Sequence, residues 1–214
     1  MKGNDKYTWK TSFANELGQR SQGVGNRIEG TNTINIRQKS AVLKNKKVTY
    51  GRLVCDIKEH KTETHRTRLM VGGNLLDFSG LLSTPTATFT TTKCLFNSVI
   101  STPGAKFLIA DVKNFYLNND LPEPEYMKLH IHIIRQEIID EYALHTLVDK
   151  NGWVYLEIVK GMYGLKQAGI IANMELTKHL EKFGYHPVRH APGLWKHNTL
   201  ATIFTRIVDG FAIK

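Results

Sequence analysis

The sequence predicts an α+β fold in which helices alternate with strands and two β-hairpins are interposed. The first observation is a pair of β-rich runs, residues 47–57 and 65–71, that together predict a hairpin. The second is the Asp209-Gly210 dipeptide between two β-rich runs, which is a strong short-range hairpin signal. Because hairpins interrupt the alternation of strands and helices, a mixed or antiparallel sheet is favoured over a doubly wound parallel one.

The first half of the chain begins with a polar stretch rich in Gly and Asn. We expect residues 1–45 to be a poorly ordered basic linker, with at most a short helix near residues 9–17. After the 47–57 and 65–71 strands, residues 75–86 predict a loop. Apolar residues between positions 87 and 100 then predict a helix, which the Thr-Pro-Gly sequence at 102–104 ends.

The second half predicts further strands and the clearest helix. The apolar run 107–110 predicts a buried strand ending at Asp111, and residues 120–125 an acidic, proline-containing loop. Residues 126–131 and 153–159 predict strands, and 135–144 have helical spacing. Residues 167–183 have apolar side chains at i, i+3 and i+4 steps, with Gly184 at the position of a C-terminal glycine cap.

Composition excludes several classes of protein. The hydrophobic content of 41% is sufficient for a folded core. No apolar run approaches the roughly 20 residues that a membrane span requires, and no signal-peptide core follows the N-terminus. Cys55 and Cys94 are too few for a zinc module or a disulfide framework. We therefore expect an intracellular protein with no membrane partner, either cytoplasmic or nuclear and not secreted.

The positive charge is concentrated in the first third of the chain. Residues 1–70 contain 15 Lys and Arg against six Asp and Glu, a net charge of +9, whereas residues 71–214 have a net charge of +1. This asymmetry predicts a polyanionic partner such as a nucleic acid, because neutralised phosphates release their counterions. The alternative is a solvated basic arm without a partner.

Two carboxylates are candidate metal ligands. Asp111 follows an apolar run, and a carboxylate at the end of a buried strand requires a compensating positive charge, which a metal ion supplies. Asp209 is placed at the tip of the second predicted hairpin. Together they form a two-carboxylate pattern of the kind that holds Mg²⁺ against phosphates. The alternatives are that Asp111 only caps a turn and that Asp209 is only a turn residue.

Three segments resemble the reverse transcriptase of copia-type long-terminal-repeat retrotransposons. Residues 111–117, D-V-K-N-F-Y-L, resemble that family's D-[VI]-K-N-A-F-L, and residues 160–168, K-G-M-Y-G-L-K-Q-A, resemble its K-x-L-Y-G-L-K-Q-A. Residues 207–210, I-V-D-G, occupy the place of its Y-V-D-D. The basic 65–71 segment is similar to the family's K-A-R-L-V. The resemblance covers roughly residues 45–214, and the Y-G-L-K-Q-A run is its most specific part.

The resemblance implies an RNA-directed DNA polymerase with fingers and palm subdomains over residues 46–214. It implies two Mg²⁺ ions, catalytic residues Asp111 and Asp209, and metal ligands Asp111, Val112 and Asp209. The implied partners are an RNA or DNA template-primer and deoxynucleoside triphosphates. The implied nucleotide-binding residues are Arg66 or Arg68 for the triphosphate, Tyr116 for exclusion of a ribose 2′-hydroxyl, and Gln167 for the nucleotide pocket.

The chain departs from the family pattern at the turn. Gly210 replaces the second aspartate and Ile207 replaces the tyrosine, so the third carboxylate is missing. The sequence ends at Lys214, soon after this turn, from which we expect that the thumb is absent. Two hypotheses remain: a polymerase domain, and a non-catalytic retroelement remnant that at most binds nucleic acid. An unrelated basic binding domain would require all three motif matches to be accidental.

Overall fold

The computed structural model describes residues 5–60, 63–80 and 83–214, and it confirms the α+β class. The chain divides into two compact units, each built from two segments. Unit 1 comprises Met1–Ser79 and Tyr116–Ala168, and unit 2 comprises Gly80–Phe115 and Gly169–Lys214. In the three described ranges, no helix combines the length and apolar character needed to cross a membrane.

The described ranges form four α-helices and twelve strands, together with short 3₁₀ turns. The helices are α1 (Lys6–Arg20), α2 (Phe89–Ile100), α3 (Gln136–Glu141) and α4 (Ala168–Lys182). The strands are β1 (Gly23–Val24), β2 (Ile28–Glu29), β3 (Ile34–Arg37), β4 (Val48–Ile57), β5 (His65–Val71), β6 (Leu108–Asp111), β7 (Asp120–His130), β8 (Trp153–Lys160), β9 (Tyr185–Pro187), β10 (Leu194–His197), β11 (Ile203–Ile207) and β12 (Gly210–Ile213).

Unit 1 contains a five-stranded sheet in the order β3-β8-β7-β4-β5. All neighbouring pairs are antiparallel except β4 and β7, which are parallel. The predicted hairpin is confirmed, because β4 and β5 pair from Gly51↔Val71 to Ile57↔His65. From the sequence, we expect the tip of this hairpin to carry Lys58, His60, Lys61 and His65. Of these, Lys61 lies outside the described residues. Fully buried side chains of this unit include Phe13, Leu17, Ile34, Leu69, Met127, Leu156 and Ile158.

The N-terminal residues differ from the predicted poorly ordered linker. The predicted short helix is the 15-residue α1, and β1, β2 and β3 follow it before residue 38. Phe13 and Leu17 of α1 are at most 1% exposed, and Ile34 of β3 is fully buried. The prediction of a poorly ordered segment is therefore wrong for these elements, which contribute to the core of unit 1.

Helix α1 covers the outer edge of strand β5. The Thr67 N–H donates to the Ser12 hydroxyl over 2.8 Å, and the Leu69 N–H donates to a Glu16 carboxylate oxygen over 3.0 Å. Val71 has the next N–H along β5 that points away from β4, and this N–H donates to the Tyr163 carbonyl over 2.8 Å. An exposed strand edge is a template for unwanted pairing, and these acceptors protect it.

Strand β7 begins earlier than the sequence predicts. Residues 120–125, predicted as a loop, belong to β7, and the register with β8 shifts between Asp120 and Glu125. Prolines are tolerated at such bulges because the ladder is locally interrupted there. The predicted strands at 126–131 and 153–159 and the helical segment after 135 are confirmed by β7, β8 and α3.

Unit 2 contains a second five-stranded sheet in the order β6-β12-β11-β10-β9, and every pair is antiparallel. Its predicted helices are confirmed as α2 and α4, and Gly184 after α4 has φ +79° as expected for a glycine cap. Trp195 and Phe204 are buried, with parallel rings whose centroids are 6.0 Å apart.

Strand β6 is not buried as the sequence predicts. It lies at the edge of the unit 2 sheet, where Leu108 is 59% and Ile109 is 69% exposed. The apolar run indicates a strand correctly, but periodicity does not distinguish a central strand from an edge strand.

Candidate active site

The second predicted hairpin is present, with a tip one residue earlier than the Asp-Gly signal suggests. Strands β11 and β12 pair from Phe204↔Ile213 to Ile207↔Gly210, which leaves Val208 and Asp209 as the two loop residues. Gly210 therefore begins β12. An Asp-Gly hairpin turn normally has a positive φ at the glycine. Here Val208 has the positive φ, at +59°.

The conformation of Val208 is strained. A β-branched residue with positive φ is a genuine outlier, because its side chain crowds the backbone. Residues held in such regions cost on the order of 1–3 kcal/mol and are concentrated at functional sites. The residue next to Asp209 is thus held in a costly conformation by the surrounding hairpin.

Strand pairing brings the two predicted carboxylate residues to the same end of the unit 2 sheet. Asp111, the last residue of β6, is paired with Gly210, the first residue of β12. The Val112 N–H donates to the Asp209 carbonyl over 2.9 Å. Residues almost one hundred positions apart in sequence therefore become neighbours across the β6–β12 ladder.

The solvent exposure of the two aspartates decides whether a metal ion is needed to offset a desolvation cost. Asp111 is exposed and Asp209 is half-buried. Because solvent already stabilises an exposed carboxylate, no large desolvation cost has to be offset, contrary to the expectation from a buried strand. A cation at this edge is favoured instead by the strand pairing, which brings the backbones of two aspartates together.

Gly210 leaves room for a side chain at the edge next to Asp111. A Cβ built on Gly210 would lie 3.5 Å from the Ile207 carbonyl oxygen and 3.9 Å from Oδ1 of Asp111, both ordinary contact distances. An aspartate side chain at this position would begin beside the Asp111 carboxylate. The backbone at position 210 therefore has room for a third carboxylate beside Asp111.

The donor set fits one divalent cation better than two. Mg²⁺ is usually held by one or two carboxylates together with water and substrate phosphates, and Asp111 and Asp209 can supply these carboxylates. Val112 has an apolar side chain and its N–H is engaged, so its main-chain carbonyl is the one remaining donor. Across the described ranges, no group of three or more His, Cys, Asp or Glu side chains is placed to hold a metal.

The predicted nucleotide-binding residues belong to unit 1. The two candidate arginines have different neighbours in the structure. Both lie on β5, where Arg66 is exposed and Arg68 half-buried. The Arg68 guanidinium lies 5.8 Å from the centroid of the Tyr163 ring, which meets the Tyr116 ring edge-on at 4.9 Å. Arg66 instead lines a 550 Å³ cavity with Lys58 and His60. Arg68 is therefore the arginine associated with Tyr116.

The sequence does not indicate Tyr163 as a site residue, although it lies in the Y-G-L-K-Q-A run. Glycines hold its loop close to other backbone. Gly164 has φ +96°, and a Cβ there would lie 2.0 Å from the Val71 carbonyl oxygen. A Cβ on Gly161 would lie 2.6 Å from the Tyr116 carbonyl oxygen. Only glycine permits these approaches, which place the Tyr163 ring between Arg68 and Tyr116.

Gln167 is engaged in a polar cluster. Its amide donates to a Glu125 carboxylate oxygen over 3.3 Å, and the Lys46 ammonium lies 3.4 Å from the same oxygen. Burial lowers the pKa of Lys46, but contacts with Glu123 and Glu125 outweigh this effect and raise it. Glu125 is 7% exposed, and its charge is compensated by these neighbours.

No protein-family model matches the chain, and no curated protein matches it either.

Proposed function

We propose that this chain is a reverse transcriptase domain of the copia type whose polymerase activity is strongly reduced. The observation that carries the proposal is the β6–β12 pairing, which makes Asp111 and Asp209 neighbours. These are the two aspartates of the motifs that resemble the family.

We assign the two compact units to the proposed fingers and palm. Under this proposal unit 1, which contains the β4–β5 hairpin and Arg68, corresponds to the fingers. Unit 2, which contains Asp111 and Asp209, corresponds to the palm. Each unit is formed by two separate chain segments, so neither corresponds to a simple N-terminal or C-terminal domain.

The proposed reaction is transfer of a nucleotide to a primer 3′-hydroxyl, which depends on positioning and charge neutralisation. Bound Mg²⁺ would supply the positive charge that offsets the phosphates. Asp111 and Asp209 of unit 2 would hold the cation, and Arg68 of unit 1 is the candidate contact of the triphosphate. Tyr116, whose ring rests against Tyr163, limits the space for a ribose 2′-hydroxyl.

Gly210 is the reason for the reduced activity. Without a third carboxylate, two divalent ions at this edge would be under-neutralised, and the loss of transition-state stabilisation is several kcal/mol. Each ~1.36 kcal/mol is a factor of ten in rate, so a decrease of several orders of magnitude follows.

The second candidate is a non-catalytic domain that binds nucleic acid. It is favoured by the net charge of +9 over residues 1–70, because clustered Lys and Arg bind phosphate backbones without any metal. Binding of this kind weakens steeply with salt and persists in EDTA.

The deciding experiment is primer extension on an RNA template with Mg²⁺. The wild-type chain, the Gly210→Asp variant and a Gly210→Asn control are compared at equal concentration. We expect extension by Gly210→Asp far above the wild type and no gain from Gly210→Asn, since asparagine matches the shape without the charge. Equal activity of all three would contradict the role of Gly210. Absence of extension by every variant, with retained RNA binding, would favour the non-catalytic candidate.

A further inference from the structure

Unit 2 contains a cavity at the end of its sheet that is far from Asp111 and Asp209. The cavity has a volume of 630 Å³ and is lined by the loop after α2, the β10–β11 loop and the residue after β12. Ile203 at the start of β11 and Lys214 after β12 are joined here by two backbone hydrogen bonds of 3.1 and 2.8 Å. Since β12 has four residues, the carboxylates lie about 13 Å away along the strands.

Three lysines line this cavity and none of the described lining residues is acidic. Lys106, Lys196 and Lys214 come from three different chain segments. Lys106 and Lys196 are exposed, and neither forms an ion pair with another residue of the described ranges. Like charges gathered around one concavity repel each other and raise the local concentration of anions.

The third lysine is fixed in place. The Lys214 ammonium donates to the Ser98 carbonyl and hydroxyl oxygens over 3.0 Å each, and to the Thr102 hydroxyl over 2.8 Å. These acceptors lie at the C-terminal end of α2, where a cation is favourable. Because its ammonium is already hydrogen-bonded, Lys214 is part of the fixed cavity wall. Lys106 and Lys196 are the lysines that can contact a ligand.

The rest of the lining is mostly apolar, and its polar residues are Thr102, Thr202 and His197. Pro103, Leu200 and Ile203 contribute to the apolar part, and Leu200 is 58% exposed. Small-molecule sites are typically cavities of about 300–1,000 Å³ that combine apolar walls with a few convergent polar groups. A ligand suited to this cavity carries negative charge at one end and a flat apolar group at the other.

We propose that this cavity binds a nucleoside phosphate, with the phosphates at Lys106 and Lys196 and the base against Pro103, Leu200 and Ile203. The ligand is a free nucleotide or the phosphorylated end of a strand, which share this chemistry. The site does not use Asp111, Asp209 or a divalent cation, so the inference does not depend on the proposed polymerase function.

The test measures binding of fluorescently labelled ATP to the full chain by anisotropy in EDTA, which removes metal-dependent binding. Lys106→Ala/Lys196→Ala is compared with Lys178→Ala/Lys182→Ala, a charge-matched control on α4 of the same unit. Because all four lysines are exposed, neither double variant should impair folding. We expect the first to weaken ATP binding at least about tenfold and the second less than about twofold, because charge-assisted contacts are lost only in the first.

Competition identifies the source of the ligand. Unlabelled ATP and a 5′-phosphorylated oligothymidylate are compared with adenosine and with the same oligonucleotide lacking its 5′-phosphate. Stronger competition by ATP indicates a free nucleotide, and stronger competition by the phosphorylated strand indicates a strand end. Equal weakening by both double variants, equal competition by adenosine and ATP, or no binding by the wild type would overturn the proposal.

Discussion

Replacement of Arg206 by methionine is expected to stabilise the protein, although it removes a buried hydrogen bond. Arg206 lies on β11 and is 3% exposed. Its guanidinium bonds to the Asn173 side chain and lies 5.2 Å from the Trp195 ring centroid. Its Nη1 has no hydrogen-bond partner among the described residues, and no described carboxylate pairs with it. Burial accordingly lowers its pKa.

The expected change in the free energy of unfolding is the cost of burying the charge minus the contacts that offset this cost. Burial of an uncompensated ion costs several kcal/mol even after relaxation. The ring contact returns about 2 kcal/mol and the bond to Asn173 about 1.5–3 kcal/mol. Methionine keeps most of the volume and apolar contact without the charge, and half-buried Asn173 can be hydrated. We expect a net gain of about 1–2 kcal/mol in the free energy of unfolding, or about 3–6 °C in Tm.

Urea denaturation followed by circular dichroism measures this gain. Arg189→Met is the matched control, because Arg189 is exposed in the same unit and its replacement should change stability by less than about 0.5 kcal/mol. Arg206→Lys keeps a buried charge without the planar guanidinium and should not stabilise. A loss of more than about 1 kcal/mol in Arg206→Met would refute the reasoning, because it would mean that the charge of Arg206 is compensated.

Three further changes test the packing and electrostatics. Glu16→Ala removes the acceptor of the Leu69 N–H at the β5 edge and also leaves the buried Arg20 guanidinium, 2.9 Å from the same carboxylate oxygen, without its ion-pair partner, so it should cost about 3–5 kcal/mol in urea denaturation. Glu16→Gln keeps a neutral acceptor and should cost less; equal losses would assign the effect to the Arg20 ion pair and contradict the edge-protection role. A hydrogen bond from the Trp153 N–H lowers the pKa of Asp149, so this carboxylate stabilises the folded state above about pH 4 and the contribution is lost as pH falls through the lowered pKa. The wild type should therefore lose more thermal stability than Asp149→Asn between about pH 5 and about pH 2, and parallel curves would contradict the assignment. Val208→Asn should raise Tm, because asparagine tolerates positive φ, and a lower Tm would show that Val208 is not strained.

The sequence predicts elements best where local pattern and tertiary role agree. Helix α4 is amphipathic and glycine-capped, and the β4–β5 hairpin is β-rich, so their bounds follow closely from the residues. Helix α1 lies in a polar segment and packs into the core through only a few buried side chains, such as Phe13 and Leu17. Its acceptors Ser12 and Glu16 meet β5 N–H groups more than fifty residues away, which no local pattern indicates.

The candidate site was only partly predictable for the same reason. Asp111 and Asp209 are identified from the apolar run, the Asp-Gly turn and the motif resemblance, but their adjacency depends on the pairing of β6 with β12. The exposure of β6 depends on its edge position, which the apolar run does not indicate. The association of Arg68 with Tyr116 depends on Tyr163, whose position follows from the close backbone approach at Gly164.

The central claim is that Asp111 and Asp209 form one metal site that Gly210 leaves incomplete. Binding of Mn²⁺, measured by electron paramagnetic resonance, tests it most directly. We expect the wild type to bind one ion weakly, Asp209→Asn to lose it, and Gly210→Asp to bind at least about tenfold more tightly, because a third carboxylate joins the donor set. Asp140→Asn, an exposed change in unit 1, is the control and should match the wild type. Unchanged binding in both Asp209→Asn and Gly210→Asp would contradict the claim.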